Sequence, residues 1–184
     1  MRTPHVGVRV FGGASLAQTT PPLQRRIMIA GADPFRTFTN PLLRSRGALF
    51  VRPDFHYQAP GDANLRAFRP DVGGRWAVGV NLEATQRVYQ RESRNWNGLF
   101  SDVTLEAFAD AGLVDTLAVP STAQKAYTPL YDGGVGIVTR HRINELSWSM
   151  RFEVPFVVNR WDYAADGTDK RVRFRWQVSL EASF

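Results

Sequence analysis

The chain has 184 residues, 43% of them hydrophobic and 12% aromatic, with 23 Lys+Arg against 17 Asp+Glu and a net charge of +6. That is enough chain for one domain or a piece of a larger one, and too aromatic for a solvated tail. The absence of cysteine excludes disulfides, cysteine-ligated zinc, iron–sulfur clusters and thiol nucleophiles. Apolar runs such as Ala48–Val51 fall far short of the roughly 20 residues of a membrane-spanning helix, which leaves the β-barrel as the remaining membrane solution.

In chain order, the first expected strand covers residues 5 to 12, where Gly7, Arg9 and Gly12 interrupt the apolar stretch that a signal peptide would need. Weaker strand patterns follow at 25 to 32 and 47 to 57, and residues 60 to 74 read as the longest central loop. Trp76, Val78, Val80, Leu82 and Ala84 then alternate with Arg75, Ala77, Gly79, Asn81, Glu83 and Thr85. Val103, Leu105, Ala107, Ala109 and Ala111 alternate with Asp102, Thr104, Glu106, Phe108 and Asp110, with Phe108 the one large apolar residue on the polar phase. A weaker strand covers 133 to 142. Leu146, Trp148, Met150, Phe152, Val154 and Phe156 alternate with Glu145, Ser147, Ser149, Arg151, Glu153 and Pro155.

The last fourteen residues alternate without an error, Val172, Phe174, Trp176, Val178, Leu180, Ala182 and Phe184 against polar neighbours. At this composition such a run arises by chance somewhere in the chain about 2% of the time. Only a strand sorts it onto two faces, and the length exceeds the 5–6 residues usual in globular sheets. The expected fold is therefore all-β, an antiparallel transmembrane β-barrel of about eight strands occupying 1–184. Connections that alternate short, long, very short, long from residue 91 onward put the C-terminus on the side of the short turns. Apart from Lys125 and Lys170 the basic residues are arginines, scattered rather than clustered, and Arg171, Arg173 and Arg175 lie opposite an apolar face. That placement favours a wet lumen over nucleic-acid binding.

Three short motifs in order give the family resemblance. Leu65-Arg66-Ala67-Phe68 resembles the Arg-Gly-aromatic motif in the inward-folded loop of BamA/TamA-type barrels, the bacterial surface antigen family. Asn81-Leu82-Glu83 is similar to the Asn-x-Glu of the following strand, and Phe108-Ala109-Asp110-Ala111-Gly112 to the Phe-x-Asp-x-Gly of the strand after that. A terminal aromatic after an alternating strand, with Trp176, Val178, Leu180 and Phe184 as the insertion signature, agrees with outer-membrane proteins generally.

The resemblance implies a barrel of roughly sixteen strands, preceded by periplasmic accessory domains, that inserts or translocates client proteins at the bacterial outer membrane. This chain would be its C-terminal half, with lipid and unfolded outer-membrane or secreted proteins as partners. It departs from the pattern at Ala67, where the family has Gly; there a Cβ would be strained if the backbone needed positive φ. Arg36-Thr37-Phe38 is a second candidate for the loop motif, and Arg66 is preferred because the strand of Asn81 and Glu83 follows directly. Arg66 is expected to pair with Asp110, Glu83 or both, because a desolvated guanidinium needs a carboxylate fork.

Enzyme readings are weaker. His5, His56 and His141 lack metal-pair spacing, and Ser147 and Ser149 have no Gly-x-Ser-x-Gly context, so no catalytic, cofactor or metal residues are assigned. The alternative is a complete eight-stranded outer-membrane barrel with a structural, adhesive or enzymatic role.

Overall fold

The computed structural model describes residues 4–16, 27–29, 44–46, 56–57, 63–68, 72–91, 98–115, 129–143, 146–160, 171–172, 174 and 176–183. They are all-β. Strands β1 (His5–Ala14), β6 (Trp76–Gln90), β7 (Gly98–Val114), β8 (Leu130–Ile143) and β9 (Leu146–Val158) have ten residues or more, and β10 (Gln177–Ser183) has seven. Shorter pieces are β2 (Ile27–Met28), β3 (Arg44–Arg46), β4 (His56–Tyr57) and β5 (Gly73–Gly74). The main antiparallel sheet runs in the order β1-β6-β7-β8-β9-β10-β3-β4, and β2 pairs with β5 separately.

β1 lies directly beside β6, from His5 opposite Thr85 to Ala14 opposite Trp76. Residues 15–75, which run between these two adjacent strands, divide: β2 and β5 pair with each other in an excursion off the main sheet, while β3 and β4 join the main sheet beyond β10. This corrects the expectation that 25–32 supplies a wall strand and that the loop is confined to 60–74; of 47–57 only His56–Tyr57 lie within the described residues, as β4 at the edge of the main sheet. The alternating residues at 27–29 instead pair with Gly73–Gly74 inside that excursion, and Ile29 N–H donates to the carbonyl of Val72 at 2.9 Å. Connections 15–75, 115–129 and 159–176 leave one end of the sheet, while 91–97 and 144–145 turn at the other.

The alternation in β6 and β7 becomes a burial pattern of unusual sense. On one face Asn81, Glu106, Phe108, Asp110 and Gly112 are buried; on the other Val80, Leu82, Leu105 and Ala109 are exposed. Val6, Val8 and Val10 of β1 continue the exposed apolar face, at 74%, 64% and 75%. A soluble sheet covers its apolar face and wets its polar one. Here the covering lies on the polar face, where residues 63–68 of the excursion are seated. Ile29, Leu65, Phe68 and Val72 form an apolar cluster there with Ala77, Val114, Leu130 and Val158 from the strand ends beside the long connections.

The last strand begins later than its sequence pattern. β10 pairs with β9 from Ser183 opposite Ser147 to Gln177 opposite Glu153, and beyond it, among the described residues, a bridge between Val157 and Val172 remains. The break coincides with Pro155, which has no N–H for the ladder. The pairing with β8 also slips there, from Val154 opposite Val135 to Val157 opposite Gly133. One extra residue on β9 makes a bulge that reverses the facing of the residues beyond it. Val158, on the apolar phase of the alternation, is consequently buried on the polar side. Phe174 and Val172 are each 67% exposed.

Among the described residues β1 has a partner strand on one side only, and β10 pairs with β9 and β3, not with β1.

Candidate functional site

The site is built where the excursion crosses the polar face of β6, β7, β8 and β9. Its approach is set by backbone contacts: Leu65 N–H donates to the carbonyl of Ile29 at 2.9 Å, and Asn64 has φ 55°, the left-handed region that asparagine tolerates better than most residues. Asn64 is the one described non-glycine residue with positive φ, so Ala67 carries no strain of that kind. Its N–H donates instead to Asp132 Oδ2 at 3.2 Å, which a methyl side chain does not obstruct.

Arg66 is 1% exposed and meets carboxylates from three strands. Its Nη2 pairs with Glu83 of β6. Its Nη1 lies 3.6 Å from Glu106 Oε1 of β7, and its Nε lies 3.0 Å from Glu153 Oε1 of β9 and 3.8 Å from Asp110 Oδ2 of β7. The guanidinium carbon stands 4.0 Å from the centre of the Phe108 ring. The aromatic residue that breaks the polar phase of β7 thus offers the cation a π face, which gains strength when water is excluded. Phe108 has room because it lies opposite Gly134, where a Cβ would come within 2.7 Å of its ring.

Asn81 ties the loop backbone to the wall. Its amide Nδ2 donates to the carbonyls of Ala63 at 3.1 Å and Asn64 at 3.3 Å, and to Asp110 Oδ1 at 2.9 Å; its Oδ1 accepts from Arg9 Nη1 at 2.9 Å. Asn81, Asp110 and Asp132 are directly opposite one another across β6, β7 and β8. Gly112 lies beneath Leu65, whose Cδ1 would be 3.1 Å from any Cβ added there. Leu65 and Phe68 are fully buried in the apolar cluster.

The structure therefore brings Leu65, Arg66, Ala67, Phe68, Asn81, Glu83, Phe108, Asp110 and Gly112 into one assembly. It adds Asp132, Glu106, Glu153 and Arg151. Arg151 Nη1 lies 2.8 Å from Glu106 Oε2 and 3.6 Å from both Glu83 Oε1 and Glu153 Oε1, making a second cation for the same acids. Glu106, Arg151 and Glu153 are on the polar phase of their strands, so period-two facing alone could have nominated them. Asp132 lies one residue before the expected start of its strand. The terminal group is not part of this assembly: Trp176 and Val178 are half-buried, Leu180 pairs opposite Met150, and Phe184 lies outside the described residues, as does Arg36.

Chemically the assembly is a clamp. Arg66, Glu106, Asp110 and Glu153 each have an opposite charge within 4 Å, and the fork of a single arginine reaches β6, β7 and β9 at once. Among the described residues no cluster of three or more acidic or histidine side chains is arranged to hold a metal ion. The chain matches no family model, no curated protein and no solved structure.

Proposed function

We propose that this chain forms part of a bacterial outer-membrane β-barrel that inserts or translocates other proteins, with the loop that carries residues 63–68 folded into the lumen and pinned there. It acts by binding and gating, without chemistry. The observation that carries the reading is the inverted burial: Arg66, Glu106, Asp110 and Glu153 are buried while Val6, Val8, Val10, Val80 and Leu82 face outward. A continuous apolar face across adjacent strands is a feature that soluble monomers rarely expose, and lipid is the solvent that suits it.

Size supports a large barrel over a small one. Eight strands enclose a space just wide enough for their own side chains. The polar face here also accommodates the backbone of residues 63–68, and β1 and β10 do not pair among the described residues. Accessory periplasmic domains and client proteins belong to the same proposal.

The test is site-specific photocrosslinking in a Gram-negative host that synthesises outer-membrane proteins during the labelling pulse. A photoreactive residue at Thr85, on the polar face, is expected to crosslink unfolded outer-membrane or secreted polypeptides, and one at Leu82, on the apolar face, to crosslink lipid. Recovery of the chain from the outer membrane with no polypeptide crosslinks from Thr85 would favour a structural barrel and overturn the transport reading.

A further inference from the structure

The polar face holds a second feature that shares Arg151 with the clamp and is otherwise separate from it. Toward the end of the sheet that carries the short turns lies a cavity of about 240 Å³, lined by His5, Thr85, Arg87, Thr104, Arg140 and Arg151. No carboxylate lines it. Arg87 pairs with Asp102 at 2.7 Å and Arg151 with Glu106 at 2.8 Å, and both acids approach from outside the lining. Arg140 is exposed, opposite Asp102 in the ladder, and among the described residues its guanidinium has no ion-pair partner. The hydroxyl of Thr85 adds a neutral donor to the same wall, while that of Thr104 donates to Asp102 at 3.0 Å.

We infer that this cavity binds carboxylate side chains of an acidic, extended polypeptide segment, with Arg140 as the anchoring cation. Its volume corresponds to roughly eight waters, too small for a drug-sized ligand and sufficient for one or two acidic side chains. Its shape argues against a lone phosphate. Arg87 on β6 and Arg151 on β9 are opposite ends of one row, Arg87–Thr104–Val138–Arg151, that crosses four strands. At about 4.8 Å per strand the row is about 14 Å long. An extended peptide places side chains i and i+2 on one side about 6.8 Å apart, so alternating acidic residues follow such a row, and each guanidinium presents a planar fork suited to carboxylate.

This inference deepens the transport reading by naming the chemistry of what the lumen wall holds, but the site itself needs only the polar face of the folded sheet. The test therefore separates the two. The full chain is folded in detergent micelles and titrated against a fluorescein-labelled decapeptide alternating Glu with Ser, its Gln–Ser counterpart, and inorganic phosphate at matched ionic strength. Membrane integration is scored separately by flotation with lipid vesicles.

The Glu peptide is expected to bind at least tenfold tighter than the Gln peptide, and Arg140→Gln to weaken it about fivefold while leaving the near-UV circular dichroism unchanged. Arg142→Gln, an exposed arginine outside the lining, controls for general charge and is expected to change binding less than twofold. Equal binding of the two peptides overturns the inference, as does an Arg140→Gln affinity equal to the parent's. Displacement of the peptide by phosphate beyond the effect of ionic strength would identify a phosphate site and overturn it too. Failed flotation with intact peptide binding would count against the membrane reading alone.

Discussion

Gly79 of β6 lies under Ala63 of the loop so closely that a Cβ on the glycine would sit 2.7 Å from the Ala63 Cβ and 3.2 Å from its Cα and carbonyl oxygen. The approach allows Asn81, two residues along the same face, to reach the carbonyls of Ala63 and Asn64. A missing methyl on the wall thus sets the depth at which the loop's arginine meets the acids.

Gly79→Ala should therefore lift the loop without unfolding the sheet, since overpacking of this kind costs about 1–3 kcal/mol. Trypsin cleavage after Arg66, which is buried in the parent chain, is the readout: the variant should be cut faster while its β circular dichroism is unchanged. Ala63→Gly in the Gly79→Ala background should restore protection, because it removes the clashing methyl from the other side. Unaltered cleavage in the single variant would show that Gly79 does not control seating.

Arg66→Lys should not rescue Arg66→Ala. The guanidinium reaches Glu83, Glu106 and Glu153 through different nitrogens, whereas an ammonium concentrates its charge on one. Removing the arginine leaves Glu106, Glu153 and Asp110 buried, with only the first two within 4 Å of Arg151, and breaking one side of a buried pair costs about 3–5 kcal/mol. The urea midpoint for loss of protection at residues 63–68, followed by hydrogen exchange, should fall in both variants, and fall less in Arg66→Ala/Glu153→Gln, where an acid is neutralised as well.

The range of each sequence signal decides how much of the fold and the clamp it discloses. Facing along β6 and β7 is a period-two property, so the buried acids and exposed valines are readable from residues two apart. Arg66 is readable only through a motif, because nothing local says that a loop arginine will be desolvated. The extent of the excursion is not readable: Ile27–Met28 look like any wall strand, and only their partner, Gly73–Gly74, shows that they belong to the loop. Pro155 is visible, yet the bulge it accompanies depends on both neighbouring strands and moves Val158 to the opposite face.

Asn81→Asp should be more damaging than Asn81→Ala. The alanine loses the amide's bonds to Ala63, Asn64 and Asp110, at about 1–3 kcal/mol for the buried groups left without partners. The aspartate does that and also sets a second carboxylate against Asp110, although Arg9 remains 2.9 Å from the Oδ1 position. Thermal unfolding in detergent should order the three chains parent, Asn81→Ala, Asn81→Asp from most to least stable; a more stable aspartate variant would mean that Arg9 dominates the environment of residue 81.

Leu82→Arg separates lipid from water as the solvent of the exposed face. Leu82 is 45% exposed and points away from the clamp, so in a soluble sheet the change removes little packing and should fall within about 0.5 kcal/mol of neutral. On the lipid face of a barrel, arginine near the bilayer midplane costs about 2–4 kcal/mol, falling toward zero at the interfaces. Leu82 lies midway along β6, opposite Val8 on one side and Ala109 on the other, so the larger figure applies. Flotation with vesicles should drop for Leu82→Arg and persist for Gln86→Arg, four residues nearer the short-turn end of the same strand, where an arginine reaches headgroups. Equal flotation of both variants with the parent would place this face in water and withdraw the support that it gives to a membrane barrel.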